Sequence, residues 1–219
     1  PPLIASPADF PGAAAVGLAL GLLVVCGCSD RPAPVKADAG ATRVVGDADQ
    51  ARLERGEVVI TPLQPTGGEG IAALARALVE APPAAVWPVV RDCQHFSAFM
   101  PRTKVSRRSD DQGDEFTCFV EIEMPFPLSN LKSTTRSTVA PLPGGGHVRR
   151  WTLVSGDYER NGGSWAVKPW GASGQRSLLE YRVDVKPKMA MPDAIAQRAQ
   201  SSSLPKLFEA IRVRARAGG

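Results

Sequence analysis

Two stretches of this chain alternate apolar and polar residues with a period of two, and that repeat constrains the fold more than any other feature. Phe116, Cys118, Val120, Ile122 and Met124 face one way, while Thr117, Glu121 and Glu123 face the other, with Phe119 as the exception on the polar side. Leu179, Tyr181, Val183 and Val185 alternate with Glu180, Arg182, Asp184 and Lys186. A period of two is the strand repeat. Half-polar strands in series predict an antiparallel sheet with one solvated face. Weaker strand patterns lie between these two, over Lys104–Arg108, the Ser/Thr-rich Leu131–Val139, His147–Val154 and Ser164–Trp170. Turn-rich stretches separate them at Asp110–Asp114, Pro141–Gly146 and Gly156–Gly163. After Pro187 and Pro192 the period becomes helical: Ile195, Leu204, Leu207, Phe208, Ile211 and Val213 form one stripe ending near Arg216, with a kink expected between Ser201 and Pro205. The fold class is α+β.

Upstream of the sheet the signals are shorter. A helix is expected over Asp49–Arg55, stopped by Gly56, followed by strands over Glu57–Thr61 and Ile71–Val79. Pro83 starts a helix that runs to Arg91, and His95–Met100 adds one further turn. No internal repeat is present, and 219 residues that are 43% hydrophobic suit one domain with a sizeable core, here residues 49–217.

The N-terminal region reads differently. Ala13–Val25 is an unbroken apolar run of 13 residues, shorter than the ~20 needed to span a bilayer and of the length of a signal-peptide core. Val25-Cys26-Gly27-Cys28-Ser29 then resembles a bacterial lipobox, with an aliphatic residue at −3, a small one at −1 and cysteine at +1. The resemblance implies a signal peptide over residues 1–27, lipid attachment at Cys28, and, with Ser29 next, sorting to the outer membrane facing the periplasm. Residues 1–12 carry no Lys or Arg and begin at Pro1, which points to a start further upstream. Residues 28–48, rich in Pro, Ala, Gly and Asp without a period, read as a flexible tether.

The order of strands, short helices, antiparallel strands and a C-terminal amphipathic helix is that of the helix-grip fold, a curved sheet wrapped around the last helix with a cavity between them. Particular residues sharpen the match. Ala81-Pro82-Pro83, Val86-Trp87, Val89-Val90, Asp92, Phe96 and Phe99-Met100-Pro101 resemble the opening of START-like (SRPBCC) proteins, nearest to the polyketide cyclase and coenzyme Q-binding START subgroup. Glu123–Leu128, Gly163-Ser164-Trp165 and Leu204-Pro205-Lys206-Leu207 match later signposts. The resemblance covers about residues 56–216. Cys93, where the family usually has an aromatic, and Pro88, inside the first of these helices, depart from it.

Few residues offer chemistry. The two histidines, His95 and His147, stand alone, and no paired-His, HExxH or CxxC spacing marks a metal site. There is no nucleophile elbow or phosphate loop, so no catalytic residue, cofactor or metal is assigned. Glu121 and Glu123 read as the solvated side of their strand. Cys93 and Cys118, the thiols left after processing, are either a disulfide or two small buried side chains. Phe99, Met124, Phe126, Tyr181 and Phe208, with Trp151 and Trp165, are candidates for the wall of an apolar ligand cavity, and Trp87 for core packing. Arg212, Arg214 and Arg216 complement a helix C-terminus. The inward strand faces are expected to be mostly aliphatic and aromatic. A net charge of +4 is too small and too scattered for nucleic-acid binding.

The reading is a monomeric, non-catalytic carrier of a lipid, quinone or polyketide-like molecule, attached to the cell envelope through a lipid anchor. An aromatase or cyclase on the same fold is the alternative, and a buried Arg, His or Glu at the cavity end would favour it. A third possibility is an envelope lipoprotein that works by protein–protein contact through an exposed apolar patch.

Overall fold

The structure, a computed structural model, describes residues 45–190 and 202–218. The signal peptide, Cys28, most of the tether and Ile195 lie outside the described residues. The elements run α1 (Asp47–Glu54), β1 (Val59–Leu63), β2 (Ile71–Val79), α2 (Pro83–Arg91), α3 (Phe96–Phe99), β3 (Thr103–Ser109), β4 (Glu115–Ile122), β5 (Leu131–Pro141), β6 (His147–Gly156), β7 (Tyr158–Trp170), β8 (Arg176–Pro187) and α4 (Leu204–Arg216). The strands form one eight-stranded antiparallel sheet in the order β1-β2-β8-β7-β6-β5-β4-β3. The chain therefore leaves β2 at one side, crosses through α2 and α3, starts again at the far edge with β3, and returns strand by strand until β8 pairs with β2.

Alternation decides what the sheet presents on each face. On β2 the inward side chains are Ala73, Ala75, Ala77 and Val79, all buried in the main core. Alanines keep that face shallow, and α4 packs there with α2 beside it. Leu204, Phe208, Ile211 and Ala215 are the buried residues of α4. Val213, placed on this stripe by the sequence, is instead 57% exposed. At ~100° per residue it lies on the side opposite Ile211. Arg212 acts through neither dipole nor surface charge alone: Nε and Nη2 donate to the carbonyls of Leu78 and Gly56, each at 3.0 Å, tying α4 to β2 and to the turn after α1.

The outer face of the sheet carries the charges. Arg76 donates to Glu180 across the β2–β8 ladder at 2.9 Å, and Lys168 of β7 pairs with the same carboxylate. Arg160 bonds Asp184 at 2.8 Å, and Lys186 reaches both Glu69 and Glu159. Part of this face is covered by α1, whose Leu53 packs with Val59, Leu78 and Leu178. In α2, Val86, Val89 and Val90 are buried while Pro88 and Ala84 are exposed, so the carbonyl that loses its proline N–H partner is on the wet side.

Two local expectations change, and one open alternative is decided. The stretch 156–163 read as a loop, yet β6 runs to Gly156 and β7 starts at Tyr158, with Asn161, Gly162 and Gly163 in the ladder with β8. Glycine is required there by close approach: a Cβ at Gly163 would lie 2.2 Å from the Arg182 carbonyl oxygen and 2.5 Å from Cζ2 of Trp151, its cross-strand partner. On β5 the inward positions are Leu131, Ser133, Thr135 and Ser137, so hydroxyls rather than hydrocarbon line that strand. Finally, Cys93, just after α2, and Cys118 of β4 form a disulfide, with Cα atoms 6.3 Å apart and both residues almost fully buried.

Gly163→Ala is expected to destabilise the protein by ~1–3 kcal/mol, the range for overpacking a tight site, read from urea unfolding followed by tryptophan fluorescence. A smaller change would mean that the Arg182 backbone and the Trp151 indole both give way freely. The disulfide spans 25 residues, and a cross-link of that length contributes ~2–4 kcal/mol. The Cys93→Ser/Cys118→Ser double variant should lose this amount in the same measurement, and Cys93 and Cys118 of the wild type should resist thiol labelling in denaturant until a reductant is added.

Candidate ligand cavity

Between the sheet and the helices lies a cavity of about 350 Å³, at the lower end of the ~300–1,000 Å³ typical of small-molecule sites. The sheet supplies most of its wall because inward positions at the open end of β2, β4 and β8 are not filled by α4. Ile71, Val120, Ile122, Val183 and Val185 give aliphatic surface, and Leu204 and Leu207 close it from α4. Met100, Pro101, Arg102 and Thr103, in the turn from α3 to β3, stand at one side.

The aromatic part of the wall is a packed group. Trp165 and Tyr181, partners in the β7–β8 register, have ring centroids 4.2 Å apart, and Trp151 stacks on Tyr181 at 5.9 Å and 22°. The Trp151 Nε1–H donates to Asn161 Oδ1 at 3.1 Å, so its orientation is fixed. Burial raises the Tyr181 phenol well above its ordinary value, with the neighbouring Tyr158 adding to the effect. Tyr181 still keeps accessible surface because that surface faces the cavity. Burial, and next Asp157, push Tyr158 up to about 12. Both phenols therefore stay protonated and act as hydrogen-bonding hydroxyls at neutral pH.

Two cations line the cavity, Arg102, exposed in the turn after α3, and one that is buried. Arg149 of β6 is 3% exposed. Its Nε donates to Ser137 Oγ at 3.2 Å, Nη1 to the Val90 carbonyl at 3.1 Å and Nη2 to Cys118 Sγ at 3.1 Å. The rings of Phe116, Phe96 and Trp151 surround the guanidinium at 5.2, 5.4 and 5.9 Å, a favourable cation–π setting. Burial, and then the nearby Arg108, lower it to about 9, so it is a cation at neutral pH. Arg108 lies 3.8 Å over Phe116 with its Nε unpartnered, and its Nη2 donates to Asp111 at 2.8 Å.

The cavity brings together Trp151, Trp165 and Tyr181 of the seven aromatic and methionine candidates. Phe208 is fully buried in the core beside Trp165, and Phe99 is half-buried, edge-on to Phe96 at 6.0 Å. Met124 and Phe126 are corrections. Their alternation with Phe116 ends because β4 stops at Ile122, and Pro125 and Pro127 cannot donate to a ladder. Met124 is half-buried in the loop, its N–H donating to Asn130 Oδ1 at 3.3 Å, and Phe126 is 97% exposed. His95 is exposed and pairs with Asp92, while His147 stacks on Trp87 at 5.1 Å on the outside of the domain. Arg149, Tyr158 and the hydroxyls of Ser133 and Thr135 were not singled out in the sequence. The signal for Arg149 was present: it lies two residues from Trp151 on the same strand, hence on the same face.

Several solved structures share this fold. A STAR-related lipid transfer protein from Xanthomonas axonopodis superposes with a TM-score of 0.62 at 17% identity, covering 74% of this chain and 98% of that one. Human StAR-related lipid transfer protein 5 gives 0.62 at 8% identity, with 78% and 93% covered. A START superfamily protein from Mycobacterium smegmatis gives 0.52 at 17%, with 68% and 99% covered. No curated protein matches the chain in sequence. The family model described as polyketide cyclase / dehydrase and lipid transport matches residues 79–212. That match takes in more than half of the chain and the whole segment from the end of β2 to α4, and the chain belongs to this family.

Proposed function

We propose that this protein is an exported, lipid-anchored carrier that holds one hydrophobic molecule, a lipid, quinone or polyketide-like compound, in the cavity between the sheet and α4. The observation that carries the reading is the wall itself: aliphatic and aromatic side chains enclose a space of ligand size, with a few polar groups set among them. The family description and the lipid-transfer titles of the structural neighbours agree with it. Among the described lining residues there is no His, Asp, Glu or Cys. General acid–base catalysis works best with a group that titrates near the operating pH, and the two lining phenols are pushed the wrong way for that. The buried Cys93–Cys118 disulfide supports export, because such bonds persist in oxidising compartments.

A second reading rests on Arg149. A buried cation with hydroxyl neighbours is the polar group that an aromatase or cyclase on this fold would use to steady a developing oxyanion. It predicts that an extracted ligand is chemically changed on incubation with the protein.

The full chain, produced in a Gram-negative bacterium with its N-terminal segment intact, should yield by native mass spectrometry and organic extraction an apolar molecule at near-stoichiometric amount and unchanged on incubation. A clean apo mass, with no uptake of a neutral fluorescent probe, would sink the carrier reading and favour the protein-contact lipoprotein. The same spectrum should show a mature chain beginning at Cys28 with an added acyl-glyceryl mass. That mass should vanish in Cys28→Ser, and an unmodified wild-type Cys28 would remove the anchor from the proposal.

A further inference from the structure

Arg149 is expensive where it sits. A guanidinium removed from water needs a counter-charge or a full set of acceptors, and no carboxylate among the described residues forms an ion pair with it. Its three acceptors are a hydroxyl, a carbonyl and a disulfide sulfur, all neutral and the last of them weak. A guanidinium has five N–H groups. Three bonds leave two donors without an acceptor among the described residues, on a side chain that forms part of the cavity wall. Arg108, on β3 beside the strand of Phe116, raises the positive potential there, and Asp92 offsets it only from a distance, without an ion pair.

A structural role alone would be served by a neutral side chain. Ser137 and the Val90 carbonyl need a donor and not a charge, and apolar residues of similar volume are often as stable as a buried ion. The charge is complementary to something that enters the cavity. The planar fork of arginine suits a group with two oxygens. Around it the wall is hydrocarbon and ring, with the Ser133 and Thr135 hydroxyls of β5 nearby in the same cavity.

We infer that the molecule held in the cavity ends in an oxyanion, a carboxylate or a phosphate monoester, which pairs with Arg149 while its apolar body lies against Trp151, Trp165 and Tyr181. This rests on the carrier reading and narrows its ligand to amphiphiles with one small anionic end. A neutral quinone or sterol lacks the counter-charge that the site calls for.

The test uses the full chain in a neutral maltoside detergent at pH 7.5, loaded with the uncharged probe N-phenyl-1-naphthylamine. The competitors share one tail and differ at the end: dodecanoate, dodecyl phosphate, dodecanol and methyl dodecanoate. At least one anion should displace the probe at ~tenfold lower concentration, or less, than the alcohol and the ester, as expected when a charge-assisted bond forms out of water. Which anion does so separates a carboxylate ligand from a phosphate one. Arg149→Met should bind the probe and lose the preference. Arg149→Gln, which keeps a donor for Ser137, should lose it too. Equal displacement by all four competitors overturns the inference and leaves the carrier standing. A preference that survives in a folded Arg149 variant overturns the role of Arg149. If neither variant folds, the wild-type ratio still decides whether an anion is recognised. Failure of the folded wild type to take up the probe or any tail overturns the carrier reading and this inference with it.

Discussion

Nine consecutive residue pairs, from Ile71↔Val185 to Val79↔Ser177, join β2 to β8. The rest of the molecule depends on that ladder. It links segments about a hundred residues apart, and everything between them must already be laid out in antiparallel order for the two strands to meet. It also sets the start of the crossover helices, after Val79, and the end of β8, at Pro187, at opposite ends of the ladder. The cost of closing so long a loop is entropic and grows slowly with length. The return is a set of nine cross-strand contacts and a continuous inner face on which α4 can lie. The Arg76–Glu180 pair sits in the middle of this ladder, on its outer side, and fixes its register from outside while the alanines fix it from within.

Those alanines explain why there is a cavity at all. Ala73, Ala75 and Ala77 let α4 come close to β2 at one end, where Phe208 and Ile211 fill the space. Toward the other end the strands widen their side chains to Val183, Val185, Ile71 and Ile122, yet no described side chain of α4 beyond Leu204 and Leu207 reaches across. A helix has one direction and a twisted sheet curves away from it, so a gap opens at the end where the two diverge. The aromatic group Trp151–Tyr181–Trp165 stands at the boundary between the filled and the empty part.

The sequence made the sheet, its two best strands and the closing helix legible because these follow strict periods. It did less well wherever a period was cut short. Phe126 is in phase with Phe116, yet two prolines remove it from the strand, and a count of alternation alone carries past them. Gly162 and Gly163 looked like a turn because glycine usually marks one, whereas here glycine admits the indole of Trp151 between two strands. β5 was recognised as a strand but its face was not, since Ser and Thr are equally at home on either side. Arg149 is hard to read for the opposite reason: arginine is so seldom fully buried that its residue type outweighs its place in phase with Trp151. The Cys93–Cys118 pair stood open in the sequence because spacing says nothing of Cα separation.

The disulfide and the arginine belong to one piece of construction. Cys118 sits on β4 with its sulfur accepting from Nη2, and its partner Cys93 follows directly on α2, whose Val90 carbonyl accepts from Nη1. The covalent bond thus holds together two of the three acceptors that orient the guanidinium, and the third, Ser137, is locked in the β5–β6 ladder opposite Trp151. With all three fixed, the remaining N–H groups point in directions set by the fold before any ligand arrives. A preorganised donor avoids the ordering cost that a mobile side chain would add on binding. A buried charge with no ion pair among the described residues is a drain on stability in the empty protein, and the nearby cross-link offsets part of that drain by constraining the unfolded chain. The two features make physical sense together: a domain that keeps a cation without an ion-pair partner among its described residues needs reinforcement, and here the reinforcement is hydrogen-bonded to the cation itself.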